Sequence, residues 1–307
     1  MKRMQILGVI ACFYNCFSCS DCQIGSLQSH KVEKIPNCVD MVIFSYNRPL
    51  QLYELLESIE EMVKSRGAGY VLYRADNQEY ECAYKQVEQQ FPSYIFVRQY
   101  KKEEFKPLLI HIVNHLPHDY LLFAVDDDIA KDSIDLSQVA RYMEITNTYG
   151  YYLRLGFNTT ECYMLKRHQG IPKNIHEIAP GVYAWQFCDG FDDWNYPQNL
   201  DMTIYRKTDV LPAITRLPYS SPNTLEGCWS SITPRMACGL CSQESCIVNT
   251  PLNLVQFDCR SNRNSNSYTA QELLEKWQEG LKIDWHPLVK MRNVSAHIDF
   301  NPTFIRR

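Results

Sequence analysis

Three consecutive aspartates, Asp126, Asp127 and Asp128, close an apolar run in the stretch YLLFAVDDDIAKD, residues 120–132. Adjacent carboxylates repel one another and are costly to desolvate, so they need open water or a cation. In an extended chain successive side chains alternate faces, which predicts Asp126 and Asp128 on one side and Asp127 on the other. That is a two-carboxylate claw. Hard divalent ions, Mn2+ or Mg2+, take such oxygens and leave further positions for phosphate. The competing reading is a solvated turn that caps the helix expected in SIDLSQVARYMEI.

The cysteines offer a second chemistry. Cys238, Cys241 and Cys246 lie close together in CGLCSQESC, but no histidine is near and Cys259 is a distant fourth ligand. Disulfides or buried thiols therefore fit better than zinc. The sequons at Asn158 and Asn293 suit a secretory chain.

The elements that must position the aspartates read as strands alternating with helices. Residues 41–45 are a short apolar run, Asn47-Arg48-Pro49 is a breaker, and Leu52, Leu55, Leu56, Ile59 and Met62 recur at helical spacing. YVLYRAD is a second strand ending at Asp76, ECAYKQVEQQF a helix, YIFVRQY a third strand, FKPLLIHIVNHL a helix, and DYLLFAV a fourth strand ending in the aspartates. The pattern predicts an α/β fold, a mostly parallel central sheet with flanking helices. Ligands in such sheets sit beyond the strands' carboxyl ends, where Ser45, Asn47, Arg48, Asp76 and the aspartates all fall. Beyond Gly150 the chain turns irregular and aromatic-rich, in short strands and hairpins. SPNTLEGCWSSIT reads as a helix start with Asn223 or Thr224 as cap and Glu226 in the first turn, and Thr269 with Glu272 forms a capping box. The expected organisation is a signal or anchor segment over 1–20, a linker over 21–39, and one domain over 40–307, with a nucleotide half at 40–135 and an acceptor half at 136–307.

At 307 residues, 45% hydrophobic and 21% charged, the chain is globular in composition. A net charge of −4 without a basic block argues against nucleic acid as a partner. Lys2 and Arg3 precede the apolar run MQILGVIACFYNCF, which suits a signal-peptide core or a short membrane anchor, and VIAC resembles a lipoprotein box. Export or membrane association through this segment is one expectation, a cytoplasmic chain the other. Losing residues 1–20 would remove Cys12, Cys16 and Cys19 from the thirteen cysteines and leave an even number for disulfides.

VIFSYNRPLQLYELLESI at the first strand, Asp76 at the end of the second and FAVDDDI at the fourth together resemble the glycosyltransferase A-type fold, most closely the family-2-like transferases that use nucleotide-diphosphosugars. The resemblance covers about residues 40–135; NTLEGCW matches the acceptor-side acidic motif only loosely. It implies a Rossmann-like nucleotide half and transfer of a sugar to a saccharide, lipid or protein acceptor. It implies that the loop Ser45–Arg48 approaches the nucleotide, with Arg48 on a phosphate or in a structural ion pair, and that Asp76 accepts hydrogen bonds from base or ribose. Asp126 and Asp128 would hold the ion that bridges the diphosphate, with Asp127 nearer the sugar or pointing outward and His297 completing the metal site. Glu226 would be the base of an inverting transfer, its competing role being to favour a helix N-terminus. NQEYECAYK lacks the family's common acidic-Gly-Ser turn, leaving the nucleotide open. Trp185, Phe187, Phe191, Trp194 and Tyr196 suit either sugar stacking or a core. The alternatives are a non-catalytic binding protein on the same scaffold and a phosphatase of the haloacid-dehalogenase type, whose aspartates would belong on the first strand rather than the fourth.

Overall fold

The computed structural model describes residues 38–255 and 268–307. The segment 1–20, the linker up to residue 37 and Cys259 lie outside the described residues. The four strands read from sequence are β1 (Val39–Tyr46), β2 (Arg66–Arg74), β3 (Tyr94–Gln99) and β4 (Tyr120–Val125). They pair in parallel in the order β3-β2-β1-β4. Between them run α1 (Pro49–Met62), α2 (Gln78–Gln90) and α3 (Phe105–His115).

Strand periodicity explains why both faces are covered. Met41 and Ile43 of β1 and Leu122 and Ala124 of β4 pack into one core with α1, α2 and the helix α4 (Leu136–Thr146). Val42, Phe44, Leu121 and Phe123 pack into the other, with α3 and two later helices, α5 (Lys207–Arg216) and α6 (Pro222–Trp229). A strand buried on both sides reads as a continuous apolar run, which is how β4 reads. In α1, Leu52, Leu55, Leu56 and Ile59 are fully buried, each worth about 1.5–3 kcal/mol over exposure.

The irregular half contains the short strands and hairpins expected of it, but most of its longer strands join the central sheet. Its strands β5 (Gly150–Tyr152), β6 (His176–Ala179), β7 (Val182–Gln186), β8 (Thr203–Arg206) and β9 (Cys238–Ser242) extend the same sheet. The full order is β6-β7-β9-β5-β8-β4-β1-β2-β3. Antiparallel β8 lies directly against β4, with Thr203 opposite Phe123. This brings the second half's residues to the aspartate turn. Of the aromatic cluster, Trp185, Phe187 and Trp194 are core, Trp185 and Trp194 with ring centroids 5.0 Å apart, and Phe191 is exposed.

Two further expectations change. The α6 cap is Ser221, whose hydroxyl forms a capping box with Thr224, because Pro222 suits the first helical position. Glu226 consequently sits in the second turn. Both sequon asparagines are buried: the Asn158 amide donates to the Asn293 carbonyl at 2.7 Å and to Ser245 Oγ at 2.9 Å. Such side chains present no accessible amide for glycosylation. Among the described residues, no helix is long and apolar enough to cross a membrane.

Candidate active site

The carboxyl ends of β1, β2 and β4 meet around Tyr46. Its backbone N–H donates to Asp126 Oδ2 at 3.2 Å, and its hydroxyl donates to Asp76 Oδ2 at 2.5 Å. Asn47, held at φ 53°, donates to Asp76 Oδ2 and accepts from the Asp76 N–H, both at 3.0 Å. Arg74 adds a contact at 3.0 Å to Asp76 and stacks on the Tyr46 ring at 4.8 Å. Burial pushes the Asp76 carboxyl up, but the bonds from Tyr46, Asn47 and Arg74 outweigh it and hold it below the usual carboxylate range. Asp76 is 42% exposed, so its charge is open to a ligand.

The aspartates do not alternate as one extended strand. Asp126 still belongs to the sheet, its N–H donating to the Phe44 carbonyl at 3.1 Å. The chain then turns. Thr250 donates to the Asp127 carbonyl at 2.8 Å, and the short strand Asp128–Ala130 pairs antiparallel with Ile247–Asn249. Asp126 Oδ2 accepts from Ser45 Oγ at 2.9 Å, and its Oδ1 accepts from Arg48 Nη1 at 2.9 Å. The same nitrogen pairs with Asp127 Oδ1, and Nη2 bonds the Asn253 carbonyl. Arg48 is thus the structural ion pair, buried between two carboxylates, and the charges of Asp127 and Asp126 hold its proton against the cost of burial. Burial drives Asp127 well up despite Arg48, with Asp126 and Asp201 adding to the push.

Asp128 is fully buried and receives only neutral donors, the Val125 N–H and the Asn249 amide, each at 3.1 Å. Burial and then Asp201 push its carboxyl well above the ordinary range. A buried acid in this state is held neutral until a cation stands beside it, and an oxygen-donor set of this kind suits a hard divalent ion. Asp126 is already saturated by Arg48, Ser45 and Tyr46. Among the described residues no group of three or more His, Cys, Asp or Glu side chains is arranged to hold a metal alone, so a bound ion would also need phosphate or water oxygens.

Asp201 links this turn to the second half. It stands just ahead of β8, with its Oδ2 3.4 Å from His297 Nε2. Burial pushes Asp201 up, but His297 and Arg154 outweigh it and hold the carboxyl below its ordinary range. Asp201 keeps its charge while its acidic neighbours yield. Arg154, nearly solvent-free, pairs with Asp193 at 2.8 Å. Glu226 lies beyond; although the residue retains some exposed area, its carboxyl is walled in. Burial and then Asp201 push it to about 8, against Arg154 and a bond to Tyr196. On α1, Glu54 is 1% exposed, its Oε1 has no partner, and burial followed by Asp127 drives it well up.

The structure thus gathers Ser45, Asn47, Arg48, Asp76 and the three aspartates at one sheet edge, and Asp201 joins His297 and Glu226 to them. Asp201, Arg154, Asp193 and Glu54 escaped the sequence reading. Asp201 carried a weak signal: NLDMTIY puts an acid immediately ahead of a buried strand, the opposite end from FAVDDD, and the antiparallel pairing of the two strands brings those ends together. Cys241 is a fully buried thiol on β9, which burial pushes up; Cys246 lies in the turn after it.

No protein-family model matches the sequence. The chain is 27% identical over 191 residues to the bifunctional glycosyltransferase pgtA of Dictyostelium discoideum, which covers 57% of this chain and 24% of that relative, so the chain spans about a quarter of the relative's length. TarS of S. aureus is a structural neighbour at 13% identity and a TM-score of 0.45, over 68% of this chain and 59% of that one. The mannosyltransferase PcManGT of Pyrobaculum calidifontis, solved with GDP-Man and Mn2+, reaches 11% identity and a TM-score of 0.37, over 69% and 60%. Neither score reaches 0.5, so the fold is described from the sheet itself: an α/β fold whose first four strands run parallel and whose later strands extend the same sheet.

Proposed function

We propose that this chain is a metal-dependent glycosyltransferase that moves a sugar from a nucleotide-diphosphosugar to an acceptor hydroxyl with inversion. One observation carries the reading. The open carboxylate Asp76 is tied through a single residue, Tyr46, to an acid turn whose buried Asp128 has only neutral hydrogen-bond donors, at the carboxyl ends of parallel strands. That spacing suits a nucleoside at one end and a diphosphate at the other. Relatedness to a glycosyltransferase supports it.

In this mechanism Asp76, oriented by Asn47 and Arg74, accepts hydrogen bonds from the nucleoside. Arg48 fixes Asp126 and Asp127, so the turn is rigid before the donor arrives, and preorganised charge loses no energy to reorganisation. Asp128 and Asp201 would hold Mn2+ or Mg2+ together with diphosphate oxygens. The ion, when bound, stabilises the negative charge that develops on the leaving group. Glu226 is the base. It takes the acceptor hydroxyl's proton as that oxygen bonds to the sugar's anomeric carbon and the bond to the diphosphate breaks. A base near 8 is well matched to a hydroxyl that becomes acidic only as it attacks. His297 fits a counter-ion to Asp201.

The test is a donor-hydrolysis and transfer assay over a panel of uridine, guanosine and cytidine diphosphosugars, with Mn2+ and with chelator. Turnover of one nucleotide class that needs the ion is expected. The reading fails if every donor in the panel is neither turned over nor bound.

A further inference from the structure

We infer that the hairpin of residues 161–168, with the adjoining segment 290–294, is a docking surface for a lipid bilayer carrying anionic headgroups. The hairpin pairs Cys162 with Arg167 and Glu161 with His168. Its inner side is anchored: Tyr163 is buried, its N–H donates to Ser295 Oγ at 3.1 Å, and its ring stacks on His297 with centroids 5.9 Å apart. Its outer side is bare. Met164 and Leu165 at the tip are 36% and 55% exposed.

The neighbours extend this apolar surface. Val294, 57% exposed, accepts the Glu161 N–H at 2.9 Å and so flanks one strand. Phe191, 54% exposed, precedes Asp192, which accepts from Arg167 at 2.8 Å on the other side. Single exposed apolar residues are ordinary on a surface. Here four of the nine large exposed ones among the described residues, Met164, Leu165, Phe191 and Val294, lie on or beside one hairpin, and such grouping marks an interaction site.

Charge identifies the occupant. Lys166, Lys173 and Lys290 are exposed and, among the described residues, have no ion-pair partner. Arg292 shares Glu244 at 3.4 Å, and Arg167 is held by Asp192. This basic rim contrasts with a chain whose net charge is −4. An exposed apolar turn that carries Lys166 itself and lies against the segment bearing Lys290 and Arg292 matches an anionic interface, where lysine stems can lie along apolar surface while the ammonium groups reach headgroups. A protein partner would instead need a hollow shaped to the tip. The basic and apolar start of the chain, Lys2-Arg3 followed by MQILGVIACF, independently favours a location near a membrane. Because Tyr163 rests on His297, docking here would hold the acid centre close to the surface.

The native tryptophans make a direct test available. All five are buried, so lipid quenchers do not reach them. The full-length Leu165→Trp variant is mixed with vesicles of brominated phosphatidylcholine containing about one-third phosphatidylserine, without nucleotide sugar. Ile95→Trp, at an equally exposed position on the far edge strand, is the control. Quenching of the new tryptophan at 165 well beyond that at 95, reduced at least about threefold in 0.5 M salt, is expected. This readout reports the hairpin itself, whatever the first twenty residues do. Equal quenching at both positions, or none at 165, overturns the proposal, and an unquenched 165 would leave the face to a protein partner. No donor is present, so the outcome does not depend on the proposed transfer chemistry.

Discussion

Changing Glu226 to Gln should stabilise the protein while abolishing transfer. In an unfolded chain a glutamate titrates at about 4.3–4.5, whereas burial and Asp201 hold Glu226 at about 8 in the folded state. A carboxyl raised on folding contributes stability that is intact below the unfolded value and is lost as pH rises towards the folded one. At about 1.36 kcal/mol per unit, the deficit at pH 7 has a ceiling on the order of 3 kcal/mol. The residue keeps some solvent access, so roughly half of that is the working expectation. Glutamine mimics the protonated acid in shape and leaves Arg154 paired with Asp193. The variant should therefore match the wild type near pH 4.5 and exceed it progressively up to pH 8. At about 2–4 °C per kcal/mol for a chain of this size, Tm at pH 8 should rise by several degrees. Asp127, Asp128 and Glu54 share the trend and cancel in the difference. Urea melts at pH 4.5, 6, 7 and 8 measure it. A pH-independent difference, or a loss of stability at pH 8, would refute the buried-acid account. Transfer should fall about 10²–10⁴-fold, and the wild-type rate should climb with pH through about 8.

Other perturbations separate scaffold from chemistry. Arg48→Met leaves Asp126 and Asp127 buried without their shared cation and should cost about 3–5 kcal/mol in urea melts; the loss should shrink at pH 5, where the orphaned carboxyls protonate, and an acid-insensitive loss would contradict the assignment. Asp128→Asn should reduce metal-dependent donor hydrolysis at least about 100-fold, with Tm unchanged or higher, because Asp128 has no cationic partner to lose; full metal-dependent activity would remove it from the centre. Asp76→Asn should raise the donor KM while changing stability by less than about 1 kcal/mol, as expected for a 42% exposed carboxylate; an unchanged KM would place the nucleoside elsewhere.

What was legible in the sequence follows contact range. The strands and helices of residues 39–125 were readable because each is set by its own period: β4 is an unbroken apolar run, and α1 repeats leucine at three and four. The aspartate trio announced itself by composition, yet its geometry did not. Local alternation says the claw is Asp126 with Asp128, but pairing of Asp128–Ala130 with Ile247–Asn249 turns the chain at Asp127. That partner is remote in sequence, and no pattern at residue 128 encodes it. The same reasoning applies to Asn158 and Asn293, whose sequon spacing is local but which are buried against each other and Ser245, partners remote in sequence. Asp201 is the informative miss. Its importance lies in what it faces: the antiparallel strand β8 lays it beside the fourth strand's acids, and from there its charge adds to the burial that raises Asp127, Asp128 and Glu226. Residues that act through a field gain their role only when the sheet closes, so an acid at the end of any strand neighbouring a known acidic turn belongs on the list of candidates.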